Sequence, residues 1–475
     1  MCEYSSRQLS VFDHPREECG IFAVYGVDDA APEIYNGLFS LQHRGQEGAG
    51  IVVSDGEKIR SQKGSGLVSE VFTPDKLGRL KGHLGIGHAR YSTTGANKTQ
   101  NIQPLVVECS DGIWAVAHNG NLTNAGRLRR MYQDAGAIFQ TSTDSEVLVH
   151  LISDPHYRLR PRRVERALGE LKGAFSFLIM KKDCIMGARD RRGFKPLSIG
   201  RLGDAWFLSS ETSSFGFNGA EHVRDVEPGE LVVIDSSGLA SHRFAERADS
   251  LSQCVFEMIY FARPDSRVFG RNVHSVRMEY GALLAREHPV EADIVIAVPD
   301  SGNSAALGYA RESGIPLDFG FIRNHYIGRT FIMPKAQDRA SGVDMKLAVL
   351  PEVVKDKRVV VVDDSIVRGT TARRRVAALR ISGAREVHMR ISCPPICHPC
   401  YYGIDLPDRG ELIAAQKSIP EIAEYIGADS IGYLSMESLK VPFDDHGDYC
   451  DACFSGDYSV TMETDSGKDA LEKNL

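Results

Sequence analysis

Residues 357–371 read KRVVVVDDSIVRGTT. Four consecutive valines predict a strand buried on both faces, two aspartates stand at its exit, and Ser365, Gly369, Thr370 and Thr371 form a short loop before a helix predicted over about 370–382. Hydroxyls and successive backbone N–H groups at a helix N-terminus make a nest that fits a phosphate monoester. Neighbouring carboxylates suit ribose hydroxyls or a Mg²⁺ ion. Gly369 allows close approach of the backbone. The chain contains no G-x-x-x-x-G-K-[ST], and no G-x-G-x-x-G follows a strand, so neither a P-loop nor a dinucleotide fold is indicated.

Around this stretch, DIVIAVPD (293–300), a helix near 303–312, PLDFGF (316–321) and EVHMRIS (386–392) alternate strand with helix, which predicts a parallel α/β sheet. Ligands of such sheets lie at the carboxyl ends of strands, which marks Val298–Asn303 and Asp363–Thr371. Before residue 246 the texture differs. Short apolar runs bounded by Gly and Asp (IFAVYGV, AGIVVSDG, WAVAHNG, AFSFLIM, LVVIDSSG) predict a strand-dominated half. Helices are expected near 31–42 and 144–153, the second opened by an N-cap at Thr143 or Asp144. The charged stretch ERADSLSQ (246–253) suits a boundary between the two halves.

The composition bounds the function. The 475 residues are 42% hydrophobic and 25% charged, ordinary for a globular chain of two large domains. With 56 Lys and Arg against 63 Asp and Glu, the net charge of −7 gives no bulk field for nucleic acid or an anionic membrane. No apolar run is long enough to span a bilayer, and the polar first residues do not form a signal peptide, so a cytoplasmic setting is expected. There the ten cysteines read as metal ligands, nucleophile or core side chains rather than disulfides.

The VVVVDDSIVRGTT run resembles the phosphoribosyl pyrophosphate motif of type I phosphoribosyltransferases. That resemblance implies Asp363 and Asp364 on the ribose hydroxyls and Mg²⁺, and residues 365–371, including Ser365, Arg368, Gly369, Thr370 and Thr371, around the 5′-phosphate. VPDSGNSAA (298–306) looks like the diphosphate-side loop, with Ser301 a further Mg²⁺ ligand. The basic loop RNHYIGRTFIMPK (323–335) offers Arg323, Arg329 and Lys335, which could close over a departing diphosphate.

In the first half Cys19 precedes IFAVYG, and LQHRGQEGAGI (41–51), GHARYST (87–93), HNGNLTN (118–124) and TSTDSE (141–146) follow in order. Together they resemble the glutamine amidotransferase domain of the N-terminal nucleophile class. Combined with the phosphoribosyl motif, the resemblance is to the glutamine phosphoribosylpyrophosphate amidotransferase family, and covers residues 19–455. It implies an antiparallel four-layer αββα sandwich over 19–250 and an α/β phosphoribosyltransferase domain over 251–455, with a removed propeptide, 1–18, and a polar tail, 456–475. Cleavage before Cys19 would give one residue both a thiol and an α-amino base with a pKa near ~8. Asn119 and the Gly120 N–H would hold the oxyanion, Arg90 the glutamine α-carboxylate and Asp144 its α-ammonium, with Arg44 beside the nucleophile. Taken alone, Asn119-Gly120 is also a hairpin-turn dipeptide and Asp144 a helix cap.

Cys397-x2-Cys400 and Cys450-x2-Cys453 suggest a zinc ribbon, but the 49-residue gap (401–449) is long for one, and an iron–sulfur cluster is the alternative. The resemblance favours a [4Fe–4S] cluster on Cys254, Cys400, Cys450 and Cys453, leaving out Cys393 and Cys397, and tying the C-terminal segment to its domain. It further implies homotetramers, feedback inhibition by purine nucleotides, and synthesis of 5-phosphoribosylamine from glutamine and phosphoribosyl pyrophosphate, the first committed step of purine synthesis. Two rivals are a glutamine amidotransferase with another acceptor, which residues 359–371 oppose, and a non-catalytic phosphoribosyl pyrophosphate-binding regulator, which the acidic balance opposes.

Overall fold

The computed structural model describes residues 19–91, 99–158, 160–324, 347–443 and 449–461. Residues 1–18, Arg329, Lys335 and the end of the tail lie outside the described residues. The first half holds two antiparallel sheets, of seven and six strands. Their stacking follows from period-2 alternation. On the strand Gly20–Tyr25, Ile21 and Ala23 pack with Ala117, Leu178 and Met180 of the six-stranded sheet, whereas Phe22 and Val24 turn to Ile34 and Leu38 of the helix Ala30–Ser40. Across the other sheet, Val116, Phe175 and Phe177 meet Leu128, Val147, Leu148 and Leu168 on the helices Ala125–Asp134, Glu146–Ser153 and Arg163–Gly169. The result is helix, sheet, sheet, helix, the expected αββα order. Each fully buried Ile, Leu or Phe contributes about 1.5–3 kcal/mol to holding the layers together.

The second half is built on five parallel strands in the order Leu317–Asp318, Ile294–Ala297, Arg358–Asp363, Glu386–Ile391 and Ser430–Tyr433. Val359–Val362 are fully buried, as a strand covered on both faces requires. The helix after that central strand runs Thr370–Ile381, and the one after Ile294–Ala297 runs Asn303–Ser313. Because the two strands are adjacent, the loops leaving both emerge side by side. No helix among the described residues is long and apolar enough to cross a membrane.

Two local expectations are corrected. The helix expected from residue 144 begins at Glu146, with Ser145 at its N-cap and no side-chain cap bond. Asp144 is not a capping residue, since its carboxylate accepts from the backbone N–H of Leu122, 2.9 Å away on another strand. The helices at 125–134 and 163–169 lack an evident signal: the first is mostly polar and charged, the second only two turns long.

Candidate functional site

Cys19 stands at the start of the central strand of the seven-stranded sheet, where Gly20 pairs with Ala89. It is buried, and its Sγ lies 3.3 Å from the Tyr91 carbonyl. The register places Arg90, also buried, beside it. His88, two residues before Arg90 on the neighbouring strand Leu84–Arg90, meets the His118 carbonyl at 3.1 Å and so links that strand to Gly112–Leu122 of the other sheet. Burial and the neighbouring Arg90 charge push the His88 pKa down to about 3, which keeps its ring neutral.

Asn119 and Gly120 lie inside that strand, opposite Ser176 and Phe175, and not in a hairpin turn. Asn119 is 1% exposed, and neither Nδ2 nor Oδ1 has a hydrogen-bond partner among the described residues. A buried primary amide left unpaired costs a folded protein about 1–3 kcal/mol. Gly120 has φ +144°, and a Cβ there would stand 2.1 Å from the Ala174 carbonyl oxygen. Asp144 is buried. Burial raises its pKa, but the His118 ring, the Leu122 N–H and the Ser145 hydroxyl more than offset this and hold it below the usual carboxylate range. Arg90 thus lies beside Cys19, and Asp144 is bonded to the strand that carries Asn119.

Arg44 is fully buried and its Nε lies 3.3 Å from the Cys19 carbonyl. Its guanidinium is held by Glu211 at 2.6 Å and by both oxygens of Glu257, at 2.9 and 2.7 Å. Glu257 comes from the second half of the chain. Sequence reasoning missed both glutamates, because no local pattern shows that residues 167 and 213 positions away converge on Arg44.

At the ends of the parallel strands, Ser301 donates to Asp364 at 2.6 Å and Ser365 donates to the other Asp364 oxygen at 2.6 Å. Asp363 pairs with Arg375 at 2.6 Å. Burial pushes the Asp363 carboxyl upward, Arg375 opposes, and Asp364 adds to the rise. Arg375 was not singled out from the sequence. The signal was its i,i+4 spacing from Thr371, which puts both on one helix face. Gly369 takes φ +77° immediately before the helix, and Thr371 is nearly buried while Thr370 is exposed. Arg368 is engaged by Glu411 at 2.9 Å, and Arg323 pairs with Asp300. A cavity of about 690 Å³ runs along this region, lined by Ser301, Arg323, Thr371 and Arg375 from the second half and by His43 and Gln46 from the first.

Cys254 and Cys450 are register partners in a short parallel pair, Gln253–Cys254 with Tyr449–Cys450. Cys453 is buried close enough to Cys400, Cys450 and Cys254 to feel their charge. Among the described residues no group of three or more His, Cys, Asp or Glu is arranged to hold a single metal ion as it stands. A four-iron cluster takes one thiolate on each iron, which is a different demand. Burial pushes the Cys450 thiol up to about 12 and Cys453 well above its ordinary value, so strong positive charge is needed to keep them as thiolates. The fully buried Lys195 lies near Cys450 and supplies part of it. Cys397 turns its Sγ to the Ala414 carbonyl at 3.6 Å, and Cys393 bonds to the Pro394 carbonyl at 3.2 Å.

The family model of the glutamine amidotransferase domain matches residues 88–216. The chain is 50% identical over 457 residues to an amidophosphoribosyltransferase of Bacillus subtilis, covering 95% of this chain and 96% of the relative. It is 47% identical over 462 residues to an amidophosphoribosyltransferase of Methanocaldococcus jannaschii, covering 94% and 98%. The solved structure of glutamine phosphoribosylpyrophosphate amidotransferase from B. subtilis, complexed with ADP and GMP, superposes with a TM-score of 0.89 at 48% identity, over 95% of this chain and 100% of that one.

Proposed function

The chain belongs to the amidophosphoribosyltransferases, glutamine-dependent enzymes of purine biosynthesis, and we propose that its two halves divide one reaction at the residues described above. Removal of residues 1–18 frees the Cys19 α-amino group, which takes the thiol proton. The sulfur attacks the side-chain amide carbon of glutamine, whose α-carboxylate rests on Arg90 and α-ammonium on Asp144. Asn119 Nδ2 and the Gly120 N–H receive the oxyanion. The C–N bond breaks, the amine leaves as ammonia with the proton held by the α-amino group, and water cleaves the glutamyl thioester to glutamate. The observation that carries this reading is the buried Asn119 amide, unpartnered among the described residues, on the strand linked by His88 to Cys19's neighbours.

In the second half, the loop 365–371 binds the 5′-phosphate of phosphoribosyl pyrophosphate. Ammonia displaces diphosphate from C1 to give 5-phosphoribosylamine. Ser301, Asp363 and Asp364 are an all-oxygen donor set suited to Mg²⁺, which when bound offsets the diphosphate charge. Arg323, with Arg329 and Lys335 outside the described residues, accompanies the leaving diphosphate. Arg368 exchanges Glu411 for phosphate. The cavity lined from both halves supports an internal route, where ammonia stays neutral and nucleophilic. A [4Fe–4S] cluster on Cys254, Cys400, Cys450 and Cys453 fits the gathered thiols and fastens the C-terminal segment. Purine nucleotides are the expected inhibitors, in keeping with the ADP and GMP bound by the B. subtilis relative, and a homotetramer is the expected assembly.

The test is Cys19→Ser in protein purified under argon. Glutamine-driven synthesis is expected to vanish and ammonium-driven synthesis to persist. Intact mass short of residues 1–18 and about four irons per chain complete the expected result. Undiminished glutamine use by the variant overturns the reading.

A further inference from the structure

We infer that Glu257, a residue of the phosphoribosyltransferase half, is a positioning residue for the nucleophile of the glutamine half, acting through Arg44. The inference rests on the reading of Cys19 given above and concerns a residue outside both substrate sites.

Arg44, Glu211 and Glu257 all have side chains with no exposure to solvent. Glu211 cannot orient Arg44 alone, because its two oxygens are already divided. One takes His43 Nε2 at 2.7 Å and a single Arg44 nitrogen at 2.6 Å, and the other takes the Arg263 N–H at 2.9 Å and the Ser266 hydroxyl at 2.7 Å. Glu257 instead engages Arg44 with both oxygens on two nitrogens. A two-point carboxylate–guanidinium fork fixes the plane of the guanidinium, which a single contact does not. That plane sets the direction of Nε, and Nε points to the Cys19 carbonyl at 3.3 Å. The carbonyl belongs to the same residue as the Sγ and the α-amino group, so displacing it shifts the backbone from which both reacting atoms project.

Glu257 is itself held. It opens a π-helical turn, Glu257–Phe261, a local geometry frequent at functional sites. Arg277 donates to the carbonyls of Met258 at 2.7 Å and Ala262 at 2.8 Å, which spans the turn. Tyr260 and Phe261 of the same turn line the cavity that Ser301 and Arg323 also line. One turn of the second half therefore touches the phosphoribosyl cavity with one end and the support of Cys19 with the other.

The experiment compares Glu257→Gln and Glu257→Asp with the wild type in the full-length, processed enzyme. Four quantities are measured: kcat and KM with glutamine, the rate with ammonium salts, and the rate of Cys19 alkylation by iodoacetamide. Misplacing a reacting atom without touching the substrate clamps is expected to lower kcat with glutamine by about ten- to a hundredfold while KM moves less than about twofold. Alkylation slows, ammonium-driven synthesis stays near wild type, and Glu257→Asp, which keeps the charge, is intermediate. Glutamine kcat within about twofold of wild type, or a parallel fall in the ammonium rate, overturns the inference. If Glu257→Gln leaves Arg44 too poorly compensated to fold, Glu257→Asp alone decides, since a carboxylate drawn back by one methylene must still show the selective loss. A wild type unable to use glutamine would sink the proposed function itself, whereas a glutamine-competent wild type matched by both variants sinks only the role of Glu257.

Discussion

At Asn119 the proposed catalytic role and the demands of folding pull in opposite directions. Its amide is buried with no partner among the described residues, a cost in the folded protein that the proposed mechanism recovers when an oxyanion develops. Asn119→Ala is therefore expected to lower kcat with glutamine by about 10²–10³-fold. Its urea-unfolding midpoint should stay at or above that of the wild type, because the unsatisfied amide has gone. A variant that loses stability and activity together would show that Asn119 serves the fold. Sequence reading reached this residue through its motif, yet the dipeptide alone pointed as readily to a hairpin. Only its place in an eleven-residue strand paired with Gly173–Met180 decides between the two.

At the scale of elements, the segment after Cys400 docks on the strand Gly112–Leu122. Asn121 Nδ2 donates to the Tyr401 carbonyl at 2.9 Å, the Tyr402 ring packs tilted by 39° against Phe194 with centroids 4.4 Å apart, and Gly403 lies against Gly120. A Cβ on Gly403 would stand 3.0 Å from the Gly120 carbonyl carbon, and its φ of +109° disfavours any side chain. Gly403→Ala should push on the Gly120 backbone and cut glutamine-driven turnover by about tenfold or more, sparing the ammonium-driven rate. Gly410→Ala, with nothing within 4 Å, is the control and should match the wild type in both assays. Equal activity of the two variants would dismiss the docking as incidental.

For the whole molecule, Glu211 joins the halves by holding Arg44 from its own half and the Arg263 N–H and Ser266 hydroxyl of the other. Burial raises its pKa, but His43, Arg44 and the Arg263 N–H outweigh it and leave the carboxyl far below its ordinary value. A folded-state pKa below the unfolded one contributes stability that is full above the unfolded pKa, near ~4.3, and fades as pH falls below it. Urea midpoints of the wild type should thus drop on going from pH 6 toward pH 4 more steeply than those of Glu211→Gln, which has no carboxylate to protonate. Parallel curves would place the acid sensitivity elsewhere.

The strand-rich first half, the alternation of strand and helix in the second and the buried valine strand were legible from the chain itself, because side-chain periodicity is a local property. The Asp144 cap and the start of its helix were misread for the same reason: a carboxylate near a helix start suits a cap equally well until the Leu122 N–H from another strand claims it. Convergence belongs to the tertiary structure alone. That Glu211 and Glu257 clamp Arg44, that Arg375 pairs with Asp363, and that Gly403 meets Gly120 depend on how sheets stack and on which loops leave adjacent strands. Such contacts are fixed by the packing of surfaces far apart in sequence, which no local pattern encodes.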